Sequence, residues 1–142
     1  MLECIRWLLD HHDTIHYILK GGLLMNVLRI YPETLDTTTD YQLTTNPKCQ
    51  PMKNVVGQTL TVRAMALLED TAIDSGEVVT FARIITDDGD CFGTSSKSFI
   101  KALISAWDFA DRRGVVLESV QVTTGVNKKG NSYLMLEPTY KG

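Results

Sequence analysis

The stretch EVVTFARIITDDGDCFGTSSKSFIKAL, residues 77–103, decides the fold. Its first part alternates between two faces and predicts a strand, with Phe81 and Arg83 on the same face because side chains repeat with a period of two. The acidic turn at 87–90 contains a glycine and predicts a hairpin into the short strand CFGTS. Residues 77–95 are therefore predicted to form two paired strands.

A helix follows these strands. Ser96 or Ser98 can cap it, because a serine oxygen accepts a hydrogen bond from an unpaired amide of the first turn. Gly114 after two arginines is typical of a helix C-terminus. Apolar residues recur at helical spacing on one face: Phe99, Leu103, Ala106, Trp107 and Ala110.

Strands also flank this unit on both sides. VVGQTLTVRAMALLED at 55–70 alternates and predicts a long strand. VVLESVQVTTG at 115–125 and NSYLMLEP at 131–138 predict two more, joined by the basic tip VNKKG. The predicted order is strand, strand, strand, helix, strand, strand.

Five antiparallel strands with one helix between the third and fourth is the arrangement of the OB-fold, a small, partly open β-barrel. The predicted fold class is therefore all-β, a five-stranded OB-fold whose helix plugs the open end with its apolar face. Open α+β sandwiches share this content and are the alternative.

The N-terminal region predicts a helix and an arm. Leu2–Lys20 has helical periodicity that ends at two glycines, and the following segment is rich in Thr, Asp, Asn and Pro. We therefore divide the chain into a helical extension at 1–24, an extended arm at 25–53 and the OB-fold domain at 54–142. Met25 opens a second plausible start, so one hypothesis makes the first segment an upstream extension.

Composition bounds the class of protein. The chain has 142 residues, 44% hydrophobic and 22% charged, which fits one globular domain. No apolar run approaches the ~20 residues needed to cross a bilayer, so we expect a cytoplasmic protein. The formal net charge of -3 disfavours a wholly basic surface. Three basic and six acidic residues precede Lys48, and the remainder is neutral.

No catalytic or metal motif is present, so we expect a non-enzymatic protein without cofactor. The sequence lacks GxGxxG, P-loop, HExxH and GxSxG patterns. His12 and His16 with Cys4 offer too few converging ligands for a metal, although a small enzyme using them is a weak alternative. Cys49 and Cys91 form no CxxC pair, and we interpret all three cysteines as reduced thiols.

Basic and aromatic residues on the predicted strands indicate single-strand binding. Such binding needs a positive groove along the phosphates and aromatic faces on which unpaired bases stack. Lysines and arginines are the candidates for contacting phosphate, and aromatic rings on strands are the candidates for stacking. Such rings more often pack inward, which is the alternative for them. The candidate nucleic-acid-binding residues are Arg63, Phe81, Arg83, Phe92, Lys97, Lys128, Lys129 and Tyr133.

Three motifs carry a resemblance to a known family. They are the strand ending in TDDG, the FGTSSKSF start of the helix, and the basic hairpin that ends in GNSY. Residues 54–138 resemble OB-fold single-stranded DNA-binding proteins of Gram-positive phages and conjugative plasmids. The resemblance implies binding of unpaired DNA with little base preference and frequent self-association. The chain ends in EPTYKG rather than a long acidic tail, so recruitment of repair partners by a tail is not predicted.

Two function hypotheses follow. The first is a protein that coats single-stranded DNA during replication or transfer of a phage or plasmid, with possible self-association through the 25–53 arm and no membrane partner. An ordered wrap of that arm around its own barrel, or disorder, is the alternative for the arm. The second is a structural or protein-interaction β-barrel subunit of a phage or conjugation assembly.

Overall fold

The computed structural model describes residues 16–19, 23–45, 48–72 and 75–142, with side chains from Asn26 onward. This part of the chain is mostly β-structure with two α-helices. The strands are β1 (His16–Leu19), β2 (Leu23–Tyr31), β3 (Gln50–Pro51), β4 (Thr59–Ala72), β5 (Val78–Thr86), β6 (Cys91–Thr94), β7 (Val116–Val126) and β8 (Ser132–Lys141). The helices are α1 (Thr37–Thr44) and α2 (Lys97–Arg113), with a 3-10 turn at Met52–Val55.

The long strand β4 organises the sheet. Its first residues, Thr59–Thr61, pair with β7, and from Val62 onward it pairs with β5. A bulge between Val62 and Ala64, at the start of the pairing with β5, lets the strand bend close to the point where its partner changes. The strands therefore follow the order β6-β5-β4-β7-β8 and curl into a half-barrel.

The predicted order of three strands, one helix and two strands is confirmed. No strand pairing joins β6 to β8 within the described residues. The start of α2 spans this gap instead, because the Ser98 hydroxyl donates to the carbonyl oxygen of Leu134 at 2.7 Å. The half-barrel is thus held by a helix contact where a closed barrel has a strand ladder.

Helix α2 fills the interior of the half-barrel. Ser96 caps it, accepting from the amide of Phe99, and Gly114 ends it in the left-handed conformation at φ 67°. The side chains of Phe99 and Leu103 are fully buried against β7 residues such as Val122. Neither described helix is long and apolar enough to cross a membrane.

The 25–53 segment is not the extended arm that its composition predicts. It contributes β2, which pairs with β4, and α1, which covers the outer face of the sheet through Leu43. Asp36 caps α1, since its carboxylate accepts from the Thr39 amide at 2.8 Å, and this bond lowers the pKa of Asp36. The described part of the segment therefore wraps around its own chain.

The Arg29 side chain on β2 holds this segment against helix α2. Its two terminal nitrogens each lie 2.8 Å from a carboxylate oxygen, one of Asp108 and one of Asp111. Its guanidinium also stacks 4.1 Å from the ring centroid of Trp107. Exposed ion pairs contribute little singly, but two carboxylates and a ring together hold one guanidinium and so fix where β2 meets the helix.

The N-terminal helix predicted over Leu2–Lys20 is wrong at its end, where His16–Leu19 forms strand β1 and pairs with β2. The remainder of that predicted helix lies outside the described residues. The side chains of Cys4, His12 and His16, weighed above as metal ligands, are also outside the described part of the structure. No metal proposal follows from this region.

The interpretation of all cysteines as reduced thiols is also wrong. Cys49 and Cys91 form a disulfide, with Cα atoms 4.8 Å apart, although they stand 42 positions apart in the chain. The parallel pairing of Gln50 with Phe92 and of Pro51 with Gly93 brings β3 against β6 and so places the two cysteines together. The spacing of the cysteines in the sequence does not predict this pair, because the long-range pairing of β3 with β6 places them together.

Candidate nucleic-acid interface

A groove of about 460 Å³ crosses β5 and β6 on the outer side of the sheet. The segment after the disulfide forms one wall and β8 touches the end. Its polar and aromatic lining consists of Gln50, Lys53, Phe81, Arg83, Thr94 and Ser95. The groove therefore combines an aromatic ring with two cations and small hydroxyl side chains.

Phe81 and Arg83 lie together in this groove, as their spacing on one strand predicts. The guanidinium carbon of Arg83 is 5.0 Å from the ring centroid of Phe81. Arg83 also donates to the carbonyl oxygen of Leu43 at 3.1 Å, which anchors the side chain to α1. Burial lowers the pKa of Arg83 and the nearby carboxylate of Asp70 opposes that shift, so the guanidinium keeps its charge at neutral pH.

Asp70 on β4 is the acidic neighbour of this cation. Its Oδ1 atom is buried and has no hydrogen-bond partner among the described residues. Burial raises the pKa of Asp70 above its usual 3.8, and the positive charge of Arg83 opposes the rise. The folded state therefore carries a partly desolvated carboxylate behind the groove.

Replacing Asp70 with Asn should stabilise the protein at neutral pH and raise its melting midpoint by a few degrees. A raised pKa in the folded state means that the penalty appears as pH rises above 3.8 and is full at neutral pH. Below 3.8 the variant and the wild type should melt alike. Thermal melts across this pH range provide the measurement, with Asp88→Asn in the exposed turn as control. Equal midpoints at neutral pH would contradict the expectation.

The basic tip of the β7–β8 hairpin is a rigid turn. The Asn127 side-chain oxygen accepts from the amides of Lys129 at 2.9 Å and Asn131 at 3.0 Å. Gly130 has φ 84°, a conformation that closes the turn and that other residues rarely adopt. The turn backbone therefore carries Lys128 and Lys129 next to each other, with both side chains exposed to solvent.

Tyr133 lies just below this tip, directly across from Gly125. A Cβ atom added to Gly125 would meet the Tyr133 ring at 2.6 Å, so the ring covers the bare backbone of the glycine. The side chain is 38% exposed. An open aromatic face beside two lysines is a surface on which an unpaired base can stack.

Two predicted site residues do not belong to the interface. Phe92 is only 6% exposed and packs in the core, so no face of its ring is open to a base. Arg63 is exposed at the β4 bulge, where its charge lowers the pKa of Asp36 at the start of α1. It does not line the groove that contains Phe81.

Lys97 takes a neighbouring position. It lines a second groove between β5 and α2, together with Lys101 and Ile104. Ser95 lines both grooves and joins them at the start of the helix. Lys97 is thus beside the first groove and not in it.

Lys53 is the groove residue that the sequence analysis missed. It belongs to the 3-10 turn after β3, and it reaches the groove because β3 pairs with β6. Its neighbours in sequence are polar and proline-rich, which is typical of a loop, so only the long-range pairing places it.

The chain matches no known family model, no curated protein and no solved structure.

Proposed function

We propose that the chain is a non-enzymatic, single-stranded DNA-binding protein built on an OB-fold barrel. The strand order and the helix between the third and fourth barrel strands support this fold, in which the face of strands 2 and 3 binds oligonucleotides. In this proposed fold β5 and β6 correspond to strands 2 and 3, and residues of both strands line the groove.

The observation that carries the proposal is the groove containing Phe81 beneath Arg83, with Lys53 on the facing wall. Because the Arg83 guanidinium lies over the Phe81 ring, an incoming base would stack on the planar guanidinium, and the positive charges of Arg83 and Lys53 would attract the adjacent phosphates without reading the base sequence. The hairpin tip and Tyr133 extend the same chemistry beyond the end of the groove.

The charge distribution suits a modest and local interaction. The net charge is -3, and the acidic side chains of the β5–β6 turn line a separate recess with Thr59 and Gln58. The cations of the groove and of the hairpin tip are thus separated from these acidic side chains and can attract a phosphate backbone. Together with the family resemblance, this favours coating of unpaired phage or plasmid DNA during replication or transfer.

Titration of a fluorescent oligo-dT at several salt concentrations tests the proposal. We expect saturable binding whose affinity falls with salt along a shallow slope, since few phosphates are contacted. Duplex DNA of the same length should bind more weakly, because its bases are already stacked. Absence of binding at low salt would overturn the proposal and favour the protein-interaction barrel.

Replacing Lys128 and Lys129 with Glu should lower the affinity for oligo-dT at least about tenfold at low salt. This loss should become smaller as the salt concentration rises. If both lysines contact phosphate, the slope of log affinity against log salt should fall by about 1.4. Fluorescence titration of the variant measures both quantities.

The matched control replaces Arg112 and Arg113 with Glu, which changes the net charge equally at the end of α2. Its affinity should fall only slightly, and its salt slope should stay that of the wild type. Equal losses in the two variants would show that net charge, and not the hairpin tip, governs binding.

A further inference from the structure

The outer edge of β5 is unpaired over its first residues. Strand β6 pairs with β5 only from Ala82 to Ile85. Within the described ranges, no strand covers the same edge at Val78–Phe81, although β4 pairs with these residues on the other side. An edge of this kind presents free backbone groups that a second strand can bind.

This edge also exposes apolar side chains. Val78 is 53% exposed and Val79 is 44% exposed, on opposite faces of the strand. Proteins usually protect free edges with a lysine, a proline or a bulge. Residues 78–81 contain none of these, so the edge has the properties of a contact surface.

A groove of about 610 Å³ runs beneath the edge, between β5 and α2. Its floor includes Ile100 and Ile104, and its charged residues have opposite signs. Glu77 lies where β5 begins, whereas Lys97 follows β6, which starts to cover β5 at Ala82. The acidic group and this lysine therefore lie toward opposite ends of the uncovered edge.

We propose that this edge binds the same edge of a second copy of the chain, forming an antiparallel two-fold dimer. With the axis at Val79, the two copies of this residue face each other and Val78 lies opposite Thr80 of the second copy. The Glu77 of the second copy then lies opposite Phe81, at the end where Lys97 stands. The arrangement pairs apolar residues at the axis and opposite charges at each end.

Charge complementarity selects a second copy over an unrelated peptide. Antiparallel pairing reverses the direction of the edge, so each acidic end meets a basic end twice in one dimer. The dimer also continues β4–β5 of one copy into β5–β4 of the other. The edge ends at Phe81, which also lines the DNA-binding groove, so the dimer is tested by a separate measurement without DNA.

Sedimentation velocity over a range of protein concentrations, without DNA, tests the dimer. We expect a concentration-dependent dimer that Val79→Lys converts to a monomer, because two lysines would then face each other at the axis. Val116→Lys is the matched control, since Val116 is 42% exposed on β7 and lies away from the edge. It should leave the dimer intact.

A second measurement fixes the register and does not depend on dimer strength. In a Cys4→Ser background, Val79→Cys should form an intermolecular disulfide under mild oxidation, whereas Val116→Cys should not. A wild-type monomer at all concentrations, or a dimer that survives Val79→Lys, would overturn the proposal. Failure of oligo-dT binding would leave it standing, so the two proposals fail separately.

Discussion

Replacing Cys49 and Cys91 together with Ala is expected to lower the free energy of unfolding by roughly 4 kcal/mol. The disulfide joins residues 42 positions apart, and a cross-link of that span removes much conformational entropy from the unfolded chain. Urea denaturation of the oxidised wild type and the variant measures the difference. The loss is large because the total stability of a domain this size is about 5–15 kcal/mol.

A reducing agent separates the disulfide from the packing of the side chains. A dithiol should lower the denaturation midpoint of the wild type to near that of the double variant, and it should leave the double variant unchanged. Cys4→Ala is the control and should keep the wild-type response to the dithiol. A wild-type midpoint that does not respond to reduction would show that the cross-link contributes no stability.

The same cross-link also anchors one wall of the candidate nucleic-acid interface. Cys49 and Lys53 both line the groove that contains Phe81, and the disulfide anchors their segment to β6. Loss of the bond frees one wall of the groove at its start, while the pairing of Gln50 with Phe92 is left to hold the rest. Stability and site geometry thus depend on one long-range contact.

The sequence predicts those parts of the fold that depend on local pattern. Strands β5 and β6 and helix α2 begin within a residue or two of their expected positions, because alternation, a glycine turn and a serine cap are local signals. The short helix α1 was missed, although Asp36 is a recognisable cap, because TTTDYQLT offers almost no apolar periodicity. The packing of Leu43 on the sheet stabilises α1 instead.

The residues of the candidate site could likewise be predicted from the sequence only where local pattern decides their position. A period of two places Phe81 and Arg83 on one face, and the structure brings them together. The same period does not indicate which face the core covers, so the sequence makes Phe92 a stacking candidate whereas the half-barrel buries it. Lys53 and the disulfide reach the groove only through α1 and β3, which no local pattern describes.

Replacing Tyr133 with Ala is expected to lower the affinity for oligo-dT by about tenfold or more, because one base stack contributes roughly 1–3 kcal/mol. The slope of affinity against salt should stay unchanged, since no phosphate contact is removed. The lysine pair at the hairpin tip differs in its salt dependence, since its replacement should lower both the affinity and the slope. Fluorescence titration at several salt concentrations therefore assigns stacking and phosphate contact to separate side chains.

The glycine across the hairpin offers a test that keeps the tyrosine in place. In Gly125→Ala the new methyl group would meet the Tyr133 ring at 2.6 Å, so the ring must leave its position over the strand. We expect an affinity loss close to that of Tyr133→Ala, whereas Tyr133→Phe should bind like the wild type because the ring persists. If Tyr133→Ala binds oligo-dT as the wild type does, the hairpin contributes charge alone and the stacking surface is confined to the pair of Arg83 and Phe81.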